Sequence, residues 1–290
     1  MIQECFEAGS PNSVIPSITH DYSNNEALFH QLEFNDESHT TILQELPAYL
    51  TKFDSEFGIE DISNIHYYKL RRNNRLQFSL MNGSFEWRDA RVFYYMLQKQ
   101  TPKKIILIGS SDATLLAHHI NTLFHLGIEI TCIEPNPPSF LQKLHTNGFI
   151  KLVQSNVLTI VPTFFQLLED NDILFIDSSH VLKVNSDVMY YFTKVFPVLN
   201  KGVRLHLHDI FFPLDYPTDW LKSGRFWNEQ YFLYTFLQFN TKFKIDFCTS
   251  YALFKYPDQF KAIQKDCYEM RHQFCTTVFG GGSIWLKVME

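Results

Sequence analysis

Cysteine is scarce in this chain: five residues in 290, at Cys5, Cys132, Cys248, Cys267 and Cys275. The number is odd and no Cys-x-x-Cys pair occurs. That spacing argues against a disulfide framework or a thiolate zinc site, and a reducing, cytoplasmic setting is expected. Runs of like charge are missing too. Lys103-Lys104 and Arg71-Arg72 are no more than pairs, and the formal charge is -6, so no phosphate-tracking surface and no nucleic-acid partner are expected. No stretch of 18 apolar residues is present, so no membrane span is expected. The opening MIQECFEAGS carries an acid and lacks the basic-then-apolar layout of a signal peptide. Internal repeats and low-complexity tracts are absent.

Aromatics are abundant, with 28 Phe and 14 Tyr, which predicts aromatic packing in the core or an aromatic-lined site. Hydrophobic residues make up 45%, enough for one large domain with an appendage. Residues 1 to about 40 are polar and read as a loosely ordered arm. Residues 41–56 have helical spacing interrupted by Pro47. The stretch from His66, HYYKLRRNNRLQFSLMNG, fits either a strand pair or a helix turning at Asn82-Gly83. Residues 87–100 read as an amphipathic helix through Ala90, Phe93, Tyr94 and Leu97. The expected division is an N-terminal extension or cap over 1–85 and a catalytic domain over 86–290.

From Lys103 onward, strands and helices alternate. KKIILIG, IEITCIE, FIKLVQ, DILFID and VRLHLHD read as five buried strands, and FKIDFCTS and GSIWLKV as two late ones. Helices are expected over DATLLAHHINTLFHLG, with Asp112 as N-cap and Gly127 as stop, and over NPPSFLQKLHTNG, with prolines in the first turn. Others are expected in LTIVPTFFQLLED, NSDVMYYFTKVFPVLNKG and FWNEQYFLYTFLQFN. The last is apolar almost all round, as for burial on two sides or a homodimer interface. The alternation means an α/β fold with a mostly parallel sheet.

In such a sheet, ligands bind beyond the carboxyl ends of the strands. Those ends carry Gly109-Ser110-Ser111-Asp112, Glu134-Pro135, Gln154-Ser155-Asn156-Val157, Asp177-Ser178-Ser179-His180, and His206, His208 and Asp209. The Gly109 turn lets backbone approach a ligand and opens a helix whose amides can bind an anion. It lacks the Gly-x-Gly-x-x-Gly spacing of a dinucleotide turn. Glu134 stands where a carboxylate can accept hydrogen bonds from a ribose. A neutral imidazole such as His180 can take a proton near neutral pH.

With two strands after the fifth, this order of elements resembles the class I S-adenosylmethionine-dependent methyltransferases, whose fold is Rossmann-like with seven strands, one of the late ones antiparallel. DILFIDSSH, NKGVRLHLHDIFFPLDYPTDWL and RFWNEQYFLYTFLQFN resemble a bacterial branch of that family. The resemblance runs from about residue 80 to the end. It implies S-adenosylmethionine held by Gly109, Ser110 and Ser111, by Glu134 at the ribose, by Asn156 and Val157 beside the adenine, and by Asp177 and Ser178. The first turn departs from the family's Glu-x-Gly-x-Gly, with Leu107 in place of the acid and Ser111 in place of the second glycine.

Asp177 and Asp209 match the acidic ligands of metal-dependent O-methyltransferases similar to catechol and macrolide-sugar enzymes. His180 has the spacing of the proposed base in the macrolide-sugar type. The resemblance thus implies methyl transfer to a small-molecule or sugar hydroxyl, with His180 and Asp177 catalytic and a divalent cation such as magnesium on Asp177 and Asp209. Ile210 stands where a second oxygen ligand is often found. His208 points away from Asp209 for as long as the strand stays extended. His208, Tyr216, Trp220 and Arg225, with Trp227, would suit a flat or sugar-like acceptor. Two other readings are a catalytically silent methyltransferase-fold scaffold, motivated by the altered turn, and a nicotinamide oxidoreductase, disfavoured by the missing glycine fingerprint and the two late strands.

Overall fold

Seven aliphatic runs become seven strands of one sheet. They are β1 (Lys104–Ile108), β2 (Glu129–Ile133), β3 (Lys151–Val153), β4 (Ile173–Ile176), β5 (Arg204–His208), β6 (Phe243–Cys248) and β7 (Ser283–Val288). A computed structural model of the chain describes residues 28–29, 31–57, 78–80, 82, 84–85, 87–109, 112–262 and 282–290. The strand order is β3-β2-β1-β4-β5-β7-β6. β1 to β5 are parallel, and β7 runs antiparallel to both β5 and β6. Every residue of β4 is buried, as expected of a parallel strand covered on both faces.

Side chains alternate between the faces. Ile105 and Leu107 enter one core with α1 (Asp36–Phe57), α2 (Trp87–Gln100) and α3 (Asp112–Phe124). Ile106 and Ile108 enter the other, shared with residues 188–199 and with α7 (Glu229–Gln238). The remaining described helices are α4 (Ser139–Thr146), α5 (Asp187–Tyr190), α6 (Thr218–Lys222), α8 (Thr249–Lys255) and α9 (Pro257–Ala262).

Three segments differ from the sequence expectation. LTIVPTFFQLLED forms two 3-10 turns, at Val157–Thr159 and Pro162–Leu167. The helix expected over residues 185–202 is α for one turn, then π over Tyr191–Val195 and 3-10 over Phe196–Val198. Pro197 supplies no amide proton there and crowds the preceding turn, so a regular helix cannot run through it. Pro138 lies outside α4, as its extended N-cap residue.

The polar arm is only partly an arm. Residues 1–27 lie outside the described residues, but α1 starts at Asp36, within the stretch expected to be loose. His39 Nδ1 faces the Asn35 carbonyl at 3.1 Å, and its Nε2 accepts the Cys248 amide at 2.8 Å. Asn35 donates to the Ile245 carbonyl at 2.8 Å. These contacts cover the edge strand β6, where unpaired backbone would otherwise be open. The choice between strands and helix for the stretch from His66 lies mostly outside the described residues.

Asp172, at the start of β4, is fully buried. Its carboxylate accepts the amides of Lys103, Lys104 and Glu169 at 2.8–2.9 Å. The first aspartate of DILFID is therefore a loop pin at the amino end of the sheet. Asp177, at the other end, faces an open cleft.

Candidate active site

A cleft of about 640 Å³ runs across the carboxyl ends of β1 to β4. It is lined by Gly109, Glu134, Asn156, Val157, Asp177 and Ser178 among others, which brings six of the expected cofactor residues together. Ser110 and Ser111 lie outside the described residues. Gly109 has φ +104°, and a Cβ built on it would stand 1.8 Å from the Asp177 carbonyl oxygen. Only glycine fits here, both for conformation and for space. Its amide donates to Ile133 while the Asp177 amide donates to Ile108, at 3.1 and 3.0 Å, so the floor of the cleft is backbone from three adjacent strands. Leu107 is fully buried in the first core, where no charge could be solvated. Glu134 accepts the Asn136 amide at 2.8 Å, and Asn156 caps the following 3-10 turn through Leu158 at 3.0 Å.

At the β4–β5 end of this rim, His180 is ringed by carboxylates. Its Nδ1 is 2.9 Å from Glu229 Oε2, and its Nε2 is 3.3 Å from Asp177 Oδ1 and 3.6 Å from Asp209 Oδ2. His180 and Asp209 have φ +56° and +57°, a conformation uncommon outside glycine and found at built sites. The Asp209 kink ends the extended run of β5. His208 and Asp209 therefore do not simply diverge, and His208 Nε2 lies 3.7 Å from Asp209 Oδ1.

The amino end of α7 holds the His180 turn. The amides of Asn228 and Glu229 both donate to the His180 carbonyl, at 3.1 and 3.2 Å. Asn228 Oδ1 accepts the Leu182 amide at 2.6 Å, and the Trp227 ring covers the imidazole at a centroid distance of 4.2 Å.

The electrostatics follow from this crowding. Burial alone would lower the His180 pKa, but the hydrogen bonds to Asp177 and Glu229 and the charges of Glu229 and Asp209 outweigh it and hold the pKa well above the ordinary imidazole value. Asp177 is disfavoured as an anion by burial, yet the His180 hydrogen bond and the charges of His208 and His180 bring its pKa below the usual carboxylate value. Asp209 goes the other way: burial, only partly offset by His208 and His180, pushes it up to about 6. One ligand atom from each of Asp177, His180 and Asp209 lies within 4.8 Å of the others. The two carboxylate oxygens, amid an excess of buried negative charge, are donors that fit a divalent cation.

The acceptor-side residues separate into two groups. Trp220 and Trp227 meet edge to face at 4.9 Å, and the exposed Arg225 guanidinium lies 5.0 and 5.7 Å from their rings. Tyr216 is buried, with its hydroxyl accepting the Gln230 amide at 3.1 Å, so it braces this wall from behind. His208 is buried beside Phe85 at 5.3 Å. His206 stacks on Phe175 at 4.1 Å within the core; burial, then the His208 charge, keeps its pKa well below the ordinary value. α7 buries Leu233 and leaves Tyr231 exposed, so the two-sided burial expected for it is one-sided within the chain. Sequence reasoning missed Glu229. The available signal was that Glu229 is the single charged residue in FWNEQYFLYTFLQF.

The strand order, the reversed β7 and the cleft over β1 to β4 define a Rossmann-like α/β protein, with the seven strands and late antiparallel strand that the resemblance to class I methyltransferases implies. In keeping with it, residues 111–210 match a family model described as a methyltransferase domain. An uncharacterized protein of Archaeoglobus fulgidus is 27% identical over 182 residues, 59% of this chain and 76% of that one. Among solved structures, a Podospora anserina methyltransferase bound to SAH is 12% identical with a TM-score of 0.46, covering 89% of this chain and 98% of its own. An O-methyltransferase from Bacillus cereus in complex with SAH is 11% identical with a TM-score of 0.44, covering 84% and 100%. Neither of these structural likenesses bears on what this chain acts on. No described helix is long and apolar enough to cross a membrane.

Proposed function

We propose that the protein is an S-adenosylmethionine-dependent methyltransferase acting on a hydroxyl of a small molecule or sugar. The observation that carries this reading is that Asp177, which lines the cleft together with Gly109 and Glu134, also belongs to the Asp177–His180–Asp209 cluster. S-adenosylmethionine would lie over Gly109, with ribose hydroxyls at Glu134 and the adenine against Val157 and Asn156. The sulfonium methyl would then face the carboxylate end of the cleft. Methyl transfer is a displacement whose rate depends on alignment and exclusion of water, and the Trp220 and Trp227 rings, packed edge to face beside His180, would offer apolar surface to an acceptor.

Asp177 and Asp209 would hold a divalent cation. When bound, such an ion acidifies a coordinated hydroxyl. His180 is the proton acceptor in this reading: with the charge of Asp177 and Asp209 offset by a bound cation, the carboxylates would no longer hold the ring protonated, and its Nε2, directed at Asp177 and Asp209, would be free to take the hydroxyl proton. The altered first turn favours a second reading, a cofactor-free binding protein of the same fold, since Leu107 offers no charge to orient that loop.

Calorimetric titration with S-adenosylmethionine separates the two. Saturable binding supports the enzyme, and no heat at millimolar cofactor removes it. With an acceptor in hand, His180→Ala is expected to abolish methyl transfer while changing cofactor affinity less than about threefold, under 1 kcal/mol; an active variant would take His180 out of the proton's path.

A further inference from the structure

We infer that Glu229 is a positioning residue for His180: it anchors Nδ1 and leaves Nε2 as the one ring nitrogen directed at Asp177 and Asp209. Glu229 is 1% exposed, its Oε2 lies 2.9 Å from Nδ1, and its Oε1 is buried without a hydrogen-bond partner. Burying a carboxylate is costly unless a specific donor compensates it, and the imidazole is that donor. The backbone clamp explains why this side chain is the one that reaches the ring. The Glu229 amide holds the His180 carbonyl while its carboxylate holds the ring. Trp227 closes the face of the imidazole. The ring is thus fixed at its backbone, at one nitrogen and on one face, and the hydrogen bond made by one nitrogen sets what the other can do.

A helix-start acid with a merely structural role would stabilise the amide ends of α7. Glu229 instead turns its carboxylate to the imidazole. The purpose of the orientation rests on the methyltransferase reading; the hydrogen bond does not. The test is proton–nitrogen NMR of the full-length protein with labelled histidine, His180 being assigned by its loss in His180→Gln. The wild type is expected to show a downfield, slowly exchanging Nδ1 proton characteristic of an imidazole–carboxylate hydrogen bond. Glu229→Ala is expected to lose this signal. Glu229→Gln, whose amide oxygen still accepts, is expected to retain it shifted upfield, and it serves where the alanine variant does not fold. Absence of the signal in the wild type, or an unchanged signal in the variants, overturns the assignment. Failure of the wild type to bind S-adenosylmethionine removes the methyltransferase reading and leaves the NMR result standing on its own.

Discussion

Gly109→Ala is the most direct probe of the cleft floor. The added methyl would start 1.8 Å from the Asp177 carbonyl oxygen, with backbone on both sides of the clash. No side chain can swing away to relieve it, so β1 and β4 must part by more than 1 Å at their carboxyl ends. A side chain at positive φ costs about 1–2 kcal/mol, and overpacking a rigid site adds about 1–3 kcal/mol. The expected destabilisation is therefore about 2–5 kcal/mol. For a chain of this size the unfolding entropy is about 0.6 kcal/mol per kelvin, which converts that range to a fall in Tm of about 3–8 °C. The same displacement moves the Asp177 backbone, and S-adenosylmethionine affinity should fall at least about tenfold, or 1.4 kcal/mol. Differential scanning calorimetry and cofactor titration on one preparation measure both effects. An alanine variant that melts and binds like the wild type would refute the packing argument and the cofactor placement together.

Two further predictions concern ionisation. His39 is buried, with burial rather than its Asn35 hydrogen bond dominating, and its pKa is lowered to about 4; because the unfolded imidazole titrates near 6.5, the protein should lose stability as pH falls from 6.5 towards 4, and His39→Gln should flatten that slope in urea melts taken across the range. Asp209 is raised to about 6, chiefly by burial, so above that pH the folded chain carries a charge it disfavours; Asp209→Asn should raise Tm by a few degrees at pH 7–8 without added metal and make no comparable difference below pH 4, and a lower Tm at pH 8 would count against the unfavourable charge.

β1 and β4 were legible because each is a short aliphatic run bounded by turn residues, and β5 and β6 because RLHLH and FKIDFC alternate polar and apolar residues with the period of a strand. The residues that line the cleft followed from asking what stands after each run. What was not legible depends on distance along the chain. α1 begins in a polar stretch because Asn35 and His39 find partners more than 200 residues away on β6, and local composition carries no trace of that. The break at residues 191–198 turns on how Pro197 is accommodated, which periodicity does not encode. Glu229 sits 49 residues from His180. Read locally it is a helix-start acid, and only the fold brings it to an imidazole.

The clamp between α7 and the His180 turn divides the chain into what must stay and what can change. Tyr216 is pinned from behind by Gln230, and Trp227 is locked over the imidazole, so residues 217–226 hang between two fixed posts. That span carries Trp220 and Arg225 but no member of the carboxylate cluster. It can be lengthened, shortened or rewritten with His180, Asp177, Asp209 and Glu229 left in register. On the proposed methyltransferase reading, a new acceptor would be acquired by exchanging one short surface segment, with the cluster around His180 inherited unchanged.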